Sequence, residues 1–259
     1  MGSEVTLYKG DCLVEMNKIP DGSVDCVICD LPYGTIAAKW DSVIPSELLW
    51  EQYKRILKHQ GSVLLFGSEP FSTYLRMSNI DWFKYDWIWL KNTHTGFQHA
   101  KNMPLKDYEI ISVFSAAGMG HQNLLGENRM IYNPQGIICV NKEWKRKNPN
   151  NFGNIAGKRE SHKTEHIQEF ENYPKMTLSF DKDVKSFHPT QKPVDLLRYL
   201  VLTYTNKGDV VLDNCMGSGS TGVACVRENR NFIGIELDDK YFEIAKKRIE
   251  TEQQQLKLF

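Results

Sequence analysis

The chain predicts an α/β fold, a parallel sheet built from βαβ units and interrupted by one long insertion. Two observations carry that expectation. Short apolar runs alternate with stretches of helical periodicity along most of the 259 residues, the pattern left by strands joined through crossover helices. That rhythm stops near residue 116 and resumes near residue 188; the stretch between is rich in Asn, Lys, Gly and His and poor in periodic apolar positions. Strands are expected at 24–29, 62–66, 87–90, 109–114, 210–213 and 231–236, each a short apolar run rich in β-branched or aromatic residues. Helices are expected at 46–58, with Gly61 following as a stop, and at 193–205, 220–228 and 239–254.

Charge is uninformative globally and informative locally. Lys plus Arg and Asp plus Glu number 32 each, so any surface for a polyanion has to be a patch. Residues 141–163 supply one: Lys142, Lys145, Arg146, Lys147, Lys158, Arg159 and Lys163 stand against Glu143 and Glu160. Such a run reads either as a solvated loop or as a nucleic-acid-facing insertion, and the flanking motifs favour the second. No run of eighteen apolar residues and no signal-peptide pattern occurs, which predicts a soluble, cytoplasmic protein with no membrane partner. The cysteines predict no metal site. Cys26 and Cys29 belong to one strand, where residues three apart face opposite ways, and Cys12, Cys139, Cys215 and Cys225 are scattered.

Near the C-terminal end, Val210-Val-Leu-Asp213 leads through Asn-Cys-Met to Gly217-Ser-Gly219 and a helix. Gly217, Gly219 and Gly222 spell the dinucleotide fingerprint, and alone they fit a nicotinamide cofactor equally well. Dinucleotide loops, however, turn almost at once to seat a diphosphate on the helix N-terminus. Here Asp213 and three more residues precede the first glycine. A carboxylate near the ligand suits the cationic sulfonium of S-adenosyl-L-methionine better than a diphosphate. Glu236, ending the next strand, can accept both ribose hydroxyls in either scheme.

Asp30-Leu31-Pro32-Tyr33 follows the first strong strand and has more specific chemistry. The exocyclic amine of adenine or cytosine is a poor nucleophile, because its lone pair is delocalised into the ring. Accepting hydrogen bonds from both N–H groups pulls that nitrogen toward tetrahedral geometry. Asp30 offers one acceptor and the Leu31 carbonyl the other. Pro32 biases Leu31 toward extended backbone, Tyr33 offers a face on which a base stacks for roughly 1–3 kcal/mol, and Gly34 lets the chain turn away.

These two motifs, in this order, resemble the β class of amino-DNA methyltransferases, and the resemblance covers nearly the whole chain outside 116–187. It implies a Rossmann-like S-adenosylmethionine-dependent methyltransferase fold, a mostly parallel seven-stranded sheet with helices on both faces and one antiparallel strand. Residues 1–115 would form the catalytic half, 116–187 an inserted target-recognition region and 188–259 the cofactor-binding half. Asp11, in Leu7-Tyr-Lys-Gly-Asp11-Cys12, corresponds to the acceptor from the cofactor adenine, with Cys12 beside it. His188 and Lys192, in His188-Pro-Thr-Gln-Lys192-Pro193, would lie near the methionine moiety. Asp30, Asp213, Gly217, Gly219 and Glu236 complete the implied cofactor set, and Lys142, Lys145, Arg146, Lys147, Lys158 and Arg159 the implied DNA contacts. Two departures stand out: Leu31 where the family usually has proline, and Asn214-Cys215 where it usually has Pro-Phe.

The implied activity is site-specific transfer of a methyl group to adenine N6 in double-stranded DNA, with base flipping, by a bacterial or phage-encoded enzyme. Cytosine-N4 is the alternative target, and an RNA or protein-glutamine methyltransferase a further one. A homodimer and a cognate restriction endonuclease are partners that the resemblance allows without requiring either.

Overall fold

The computed structural model describes residues 2–34, 43–145, 165–183, 187 and 190–256. It falls into two compact units, Met1–Asn133 with Met176–Phe259, and Pro134–Lys175. The first unit begins with β1 (Val5–Lys9), α1 (Cys12–Glu15), β2 (Val24–Cys29), α2 (Ser46–Ile56), β3 (Leu57–Gly67), α3 (Phe71–Ser78), β4 (Phe83–Thr95), β5 (Lys106–Phe114) and α4 (Gln122–Leu125). The second unit holds the antiparallel pair β6 (Ile138–Lys145) and β7 (Glu165–Glu171). The chain then returns to the first unit with β8 (Thr177–Ser179), α5 (Val194–Tyr204), β9 (Val210–Asp213), α6 (Ser220–Arg227), β10 (Asn231–Glu236) and α7 (Asp239–Leu256). The separate unit is narrower than the expected 116–187 insertion, because Ala117, Met130 and Leu178 are buried with the main core.

The sheet runs β1-β10-β9-β2-β3-β5-β4-β8. Its strands are parallel from β1 to β3, and β5 is antiparallel to both neighbours. Seven strands with one reversed match the sequence expectation. An eighth, β8, comes from within the expected insertion and pairs in parallel with the edge of β4 over three residues. The strands expected at 24–29, 210–213 and 231–236 have those bounds. The first expected helix stops two residues early, because Leu57 is already extended at φ −79°, ψ 137° and opens β3. Gly61 is therefore a strand residue and not a helix stop; a Cβ there would come within 2.7 Å of the Asp25 carbonyl oxygen.

Side-chain alternation assigns the two faces. Cys26 and Ile28 of β2 pack with Leu64, Phe66 and the α5–α6 residues Leu197, Leu200 and Ala224. Val27 and Cys29 turn the other way, onto Val63, Leu65 and the α2 residues Trp50, Tyr53 and Ile56. Cys26 and Cys29 thus lie on opposite faces, as the strand period requires. Among the described residues, no helix is long and apolar enough to cross a membrane.

β2 and β9 come from opposite ends of the chain and pair through Cys26 with Val211 and Val27 with Leu212. Asp25 extends that junction. Its carboxylate is 5% exposed, accepts the Val210 N–H at 2.9 Å and takes Lys58 Nζ at 2.8 and 2.9 Å. Asp25→Ala leaves the half-buried Val210 amide without its acceptor, so chemical denaturation is expected to show a loss of about 1 kcal/mol. A change below a few tenths of a kcal/mol would mean that the carboxylate does not brace the junction.

Candidate active site

A cavity of about 700 Å³ opens where β1, β2, β9 and β10 end, lined by Asp11, Asp30, Tyr33, Lys192, Gly217 and Glu236 among others. The carboxyl edge of an open α/β sheet is the expected place for a ligand. Parallel register sets it: Lys9 stands opposite Glu236, and Gly234 opposite Asp213.

The loop after β9 is built around its glycines. Gly217 (φ 52°) and Gly219 (φ 79°) both adopt left-handed backbone, and a Cβ on Gly219 would come within 3.0 Å of the Ala245 Cα, so side chains are disfavoured on conformational and steric grounds. Asp213 is buried and engages its carboxylate inside the loop, accepting from Thr221 Oγ1 at 2.6 Å and Cys215 N–H at 3.2 Å. Burial pushes it up to about 7, against the opposing pull of those two donors. Glu236 accepts the Gly217 N–H at 2.8 Å on one oxygen and the Asp238 N–H at 2.8 Å on the other. Asp11 caps α1 by accepting the Leu13 N–H at 2.8 Å. Gln191 ties the segment before α5 to this loop, accepting from Ser218 Oγ at 3.1 Å. His188 lies outside the described residues.

The two departures have structural explanations. Leu31 is 5% exposed and belongs to the α2-side core, so packing holds the position that proline's ring usually stiffens. Asn214 accepts the Tyr53 hydroxyl at 2.7 Å. Cys215 lies against Cys12 and Cys29. Hydrogen bonding with Cys215, then burial, push the Cys12 thiol well up, and burial pushes Cys29 up to about 12. These groups are neutral thiols at pH 7, one polar corner of a cavity that Cys12 and Cys215 both line.

Asp30 is engaged on both oxygens. Tyr33 Oη donates to Oδ1 at 2.7 Å, and Lys192 Nζ donates to Oδ2. The Tyr33 ring is backed by Phe71, with centroids 4.8 Å apart. Lys192, expected near the methionine moiety, therefore sits on the motif carboxylate. Its side chain is 7% exposed and also stands 3.4 Å from Glu109 Oε2, while Lys91 Nζ bonds Glu109 Oε1. Burial pushes the Glu109 carboxyl up, but Lys192 and Lys91 more than reverse this and hold it below the usual range. Sequence reasoning missed Glu109 and Lys91. The available signal was a charge at each end of otherwise apolar strand runs, and antiparallel pairing of Trp89 with Glu109 brings the two together.

The basic segment looks different in three dimensions. Lys142 and Lys145 lie on β6, exposed, and pair across the hairpin with Glu171 at 2.9 Å and Glu165 at 3.1 Å. The basic stretch 141–163 stops just short of this acidic strand. Exposed pairs of this kind contribute about 0–1 kcal/mol, little enough for a phosphate to displace. Arg146, Lys147, Lys158 and Arg159 lie outside the described residues.

Comparison with known proteins matches residues 24–247 to the N6/N4 methyltransferase family described as DNA methylase. Over 94% of the chain, and 68% of the relative, it is 28% identical to the type II methyltransferase M.HinfI of Haemophilus influenzae. It is also 28% identical to the DNA adenine methyltransferase YhdJ of Escherichia coli K12, over 95% of the chain and 83% of that protein. Among solved structures, the M1.HpyAVI–SAM complex superposes with a TM-score of 0.61 at 24% identity, covering 95% of this chain and 98% of that one. PvuII DNA methyltransferase, cytosine-N4-specific, gives 0.65 at 14%, covering 99% and 93%.

Asp213 carries a pH prediction. A carboxyl raised on folding favours the folded state when protonated; that contribution is complete below the ordinary aspartate range and is lost as pH rises through about 7. Thermal melting of the ligand-free protein is expected to shift downward between pH 5.5 and 8, and Asp213→Asn to flatten that slope. An identical slope in the variant would assign the pH dependence elsewhere.

Proposed function

Since the chain belongs to the N6/N4 DNA methylase family and is an S-adenosylmethionine-dependent DNA methyltransferase, we propose that it methylates the N6 amine of adenine in duplex DNA. The observation that carries this reading is Asp30, placed one residue beyond β2 in the cavity that the loop after β9 also lines. Aspartate at the first position of the tetrapeptide goes mainly with adenine in the resembling class. The relative YhdJ is named an adenine enzyme; the PvuII likeness, at 14% identity, concerns fold alone.

The cavity suits both ligands in size and in chemistry. Glu236 would accept the ribose hydroxyls and Asp11 the adenine amine of the cofactor, with Cys12, His188, Asp213, Gly217 and Gly219 around it. When bound, S-adenosylmethionine supplies an electrophilic methyl group on a cationic sulfur. The target nucleotide rotates out of the duplex, leaving its stack for the pocket, and lies beside Tyr33. Asp30 and the Leu31 carbonyl accept its two amine hydrogens, and Pro32 fixes the aim of that carbonyl. As the methyl–sulfur bond broke and left a neutral thioether, Asp30 would take the proton shed by the methylated nitrogen and pass it to water. Alignment does most of the catalysis, and no histidine base is required.

Lys142, Lys145, Arg146, Lys147, Lys158 and Arg159 would grip the phosphates, since Lys and Arg side chains bound there position a duplex without reading it.

Two experiments test this reading. Duplex DNA incubated with protein and labelled cofactor is expected to yield labelled N6-methyladenine by nucleoside mass spectrometry; labelled N4-methylcytosine would overturn the base assignment. Asp30→Ala is expected to lower transfer by at least about a hundredfold, and substantial activity in that variant would sink the role of Asp30. Separately, changing Lys145, Arg146 and Lys147 to glutamine is expected to weaken binding alike on all sequences and to reduce the salt slope by about one for each phosphate left without its cation. Unchanged affinity and slope would remove the segment from the interface.

A further inference from the structure

Four ionisable side chains of alternating sign stand in sequence from the motif carboxylate along the wall of the cavity: Asp30, Lys192, Glu109 and Lys91. Their side chains are 22%, 7%, 16% and 11% exposed. The arrangement is asymmetric in one respect. Lys192 Nζ donates to Asp30 Oδ2, whereas Glu109 Oε2, 3.4 Å from the same Nζ, is buried and accepts no hydrogen bond from any described residue. One ammonium thus has an occupied seat on Asp30 and a second acceptor within ion-pair range. The phenyl ring of Phe66, 5.1 Å from Nζ, lines the same cavity and gives the cation an apolar, electron-rich face.

We propose that Lys192 is a two-position cation: it holds Asp30 in the free enzyme and passes its hydrogen bond to Glu109 Oε2 when the target amine arrives, with Glu109 as the positioning residue that receives it. The proposal rests on Asp30 being the acceptor for the amine. Each Asp30 oxygen already carries one donor, from Tyr33 and from Lys192. Each can accept a second, so the amine could bind there, but it would share the carboxylate with the charge of the lysine. Charge favours displacing the lysine. As methyl transfer proceeds, positive charge develops on the target nitrogen, and an ammonium on the same carboxylate would repel it at short range in a low-dielectric site. Moving Nζ to Glu109 withdraws that charge without exposing it, and Lys91 keeps Glu109 anionic to receive it.

The test is a double-mutant cycle on single-turnover rates, read as label transferred to DNA whichever base receives it, so that failure of the adenine assignment leaves it intact. Glu109→Gln is expected to slow transfer by about tenfold, equivalent to about 1.4 kcal/mol of barrier, with DNA and cofactor dissociation constants within about twofold of wild type. Glu109→Asp, which keeps the charge, is expected to recover most of the rate. Lys192→Met is expected to be slow on its own account, and adding Glu109→Gln to it to cause no further loss, because the second seat has no occupant. Losses that multiply in the double variant, or a wild-type rate in Glu109→Gln, would overturn the proposal. Should Glu109→Gln fail to fold, Glu109→Asp enters the same cycle, where its smaller penalty must likewise vanish beside Lys192→Met. Asp30→Ala serves as the control: if it remains active, the role of Asp30 fails, and if it alone is inactive, only the exchange between seats fails.

Discussion

The pairing of β2 with β9 covers only Cys26 with Val211 and Val27 with Leu212, yet the site exists only because of it. Asp30 follows the last residue of β2 and Asp213 is the last of β9, so two short hydrogen-bonded rungs fix the separation between motifs nearly two hundred residues apart in sequence. Asp25 reinforces the junction from beneath, joining Val210 of one strand to Lys58 at the start of β3. Both faces of β2 are then sealed, by α5 and α6 on one side and α2 on the other. A strand buried on both faces cannot slip by one residue without turning its side chains into the wrong layer, so the position of Asp30 at its end is fixed.

How much of this was legible in the sequence depended on whether the signal was local. β2, β9 and β10 were readable to the residue because each is a short, mostly apolar run with punctuation at its ends. β1 escaped as a strand because Val5-Thr-Leu-Tyr-Lys9 is only half-buried at a sheet edge and shows no apolar run. α3 escaped because only Ser72 and Leu75 of its eight residues are buried, too few to set a period. The motif residues Asp11, Asp30, Asp213, Gly217 and Glu236 were readable and line one cavity. Their partners were not. That Lys192 would meet Asp30, or that Glu109 and Lys91 would stand beside it, follows from the antiparallel β4–β5 pairing and the placing of α5, which no window of sequence contains.

The protein places its ion pairs in two regimes. On the hairpin, Lys142–Glu171 and Lys145–Glu165 are largely exposed; water and salt weaken them, and they hold little in place. At the cavity, the Asp30–Lys192–Glu109–Lys91 array is largely removed from water, where taking away one member strands its neighbour's charge at about 3–5 kcal/mol. Burial of this kind is a poor route to stability alone, since apolar side chains of similar volume stabilise as well or better. Its place beside the motif carboxylate points to orientation: charges already desolvated and aimed need little reorganisation when a substrate enters.

The order of the two halves along the chain has a consequence for how the molecule is made. At synthesis rates of about 5–20 residues per second, Asp213 leaves the ribosome roughly ten to forty seconds after Asp30. Through that interval β2 can pair with β3, but its other edge has no β9, and β1 has no β10 to lie against. The nascent chain therefore carries an apolar strand with an open parallel edge, a surface that other chains can pair with. The N-terminal sheet is closed on both flanks only when the last quarter of the protein arrives, so Asp30 and the loop after β9 come together in the same event.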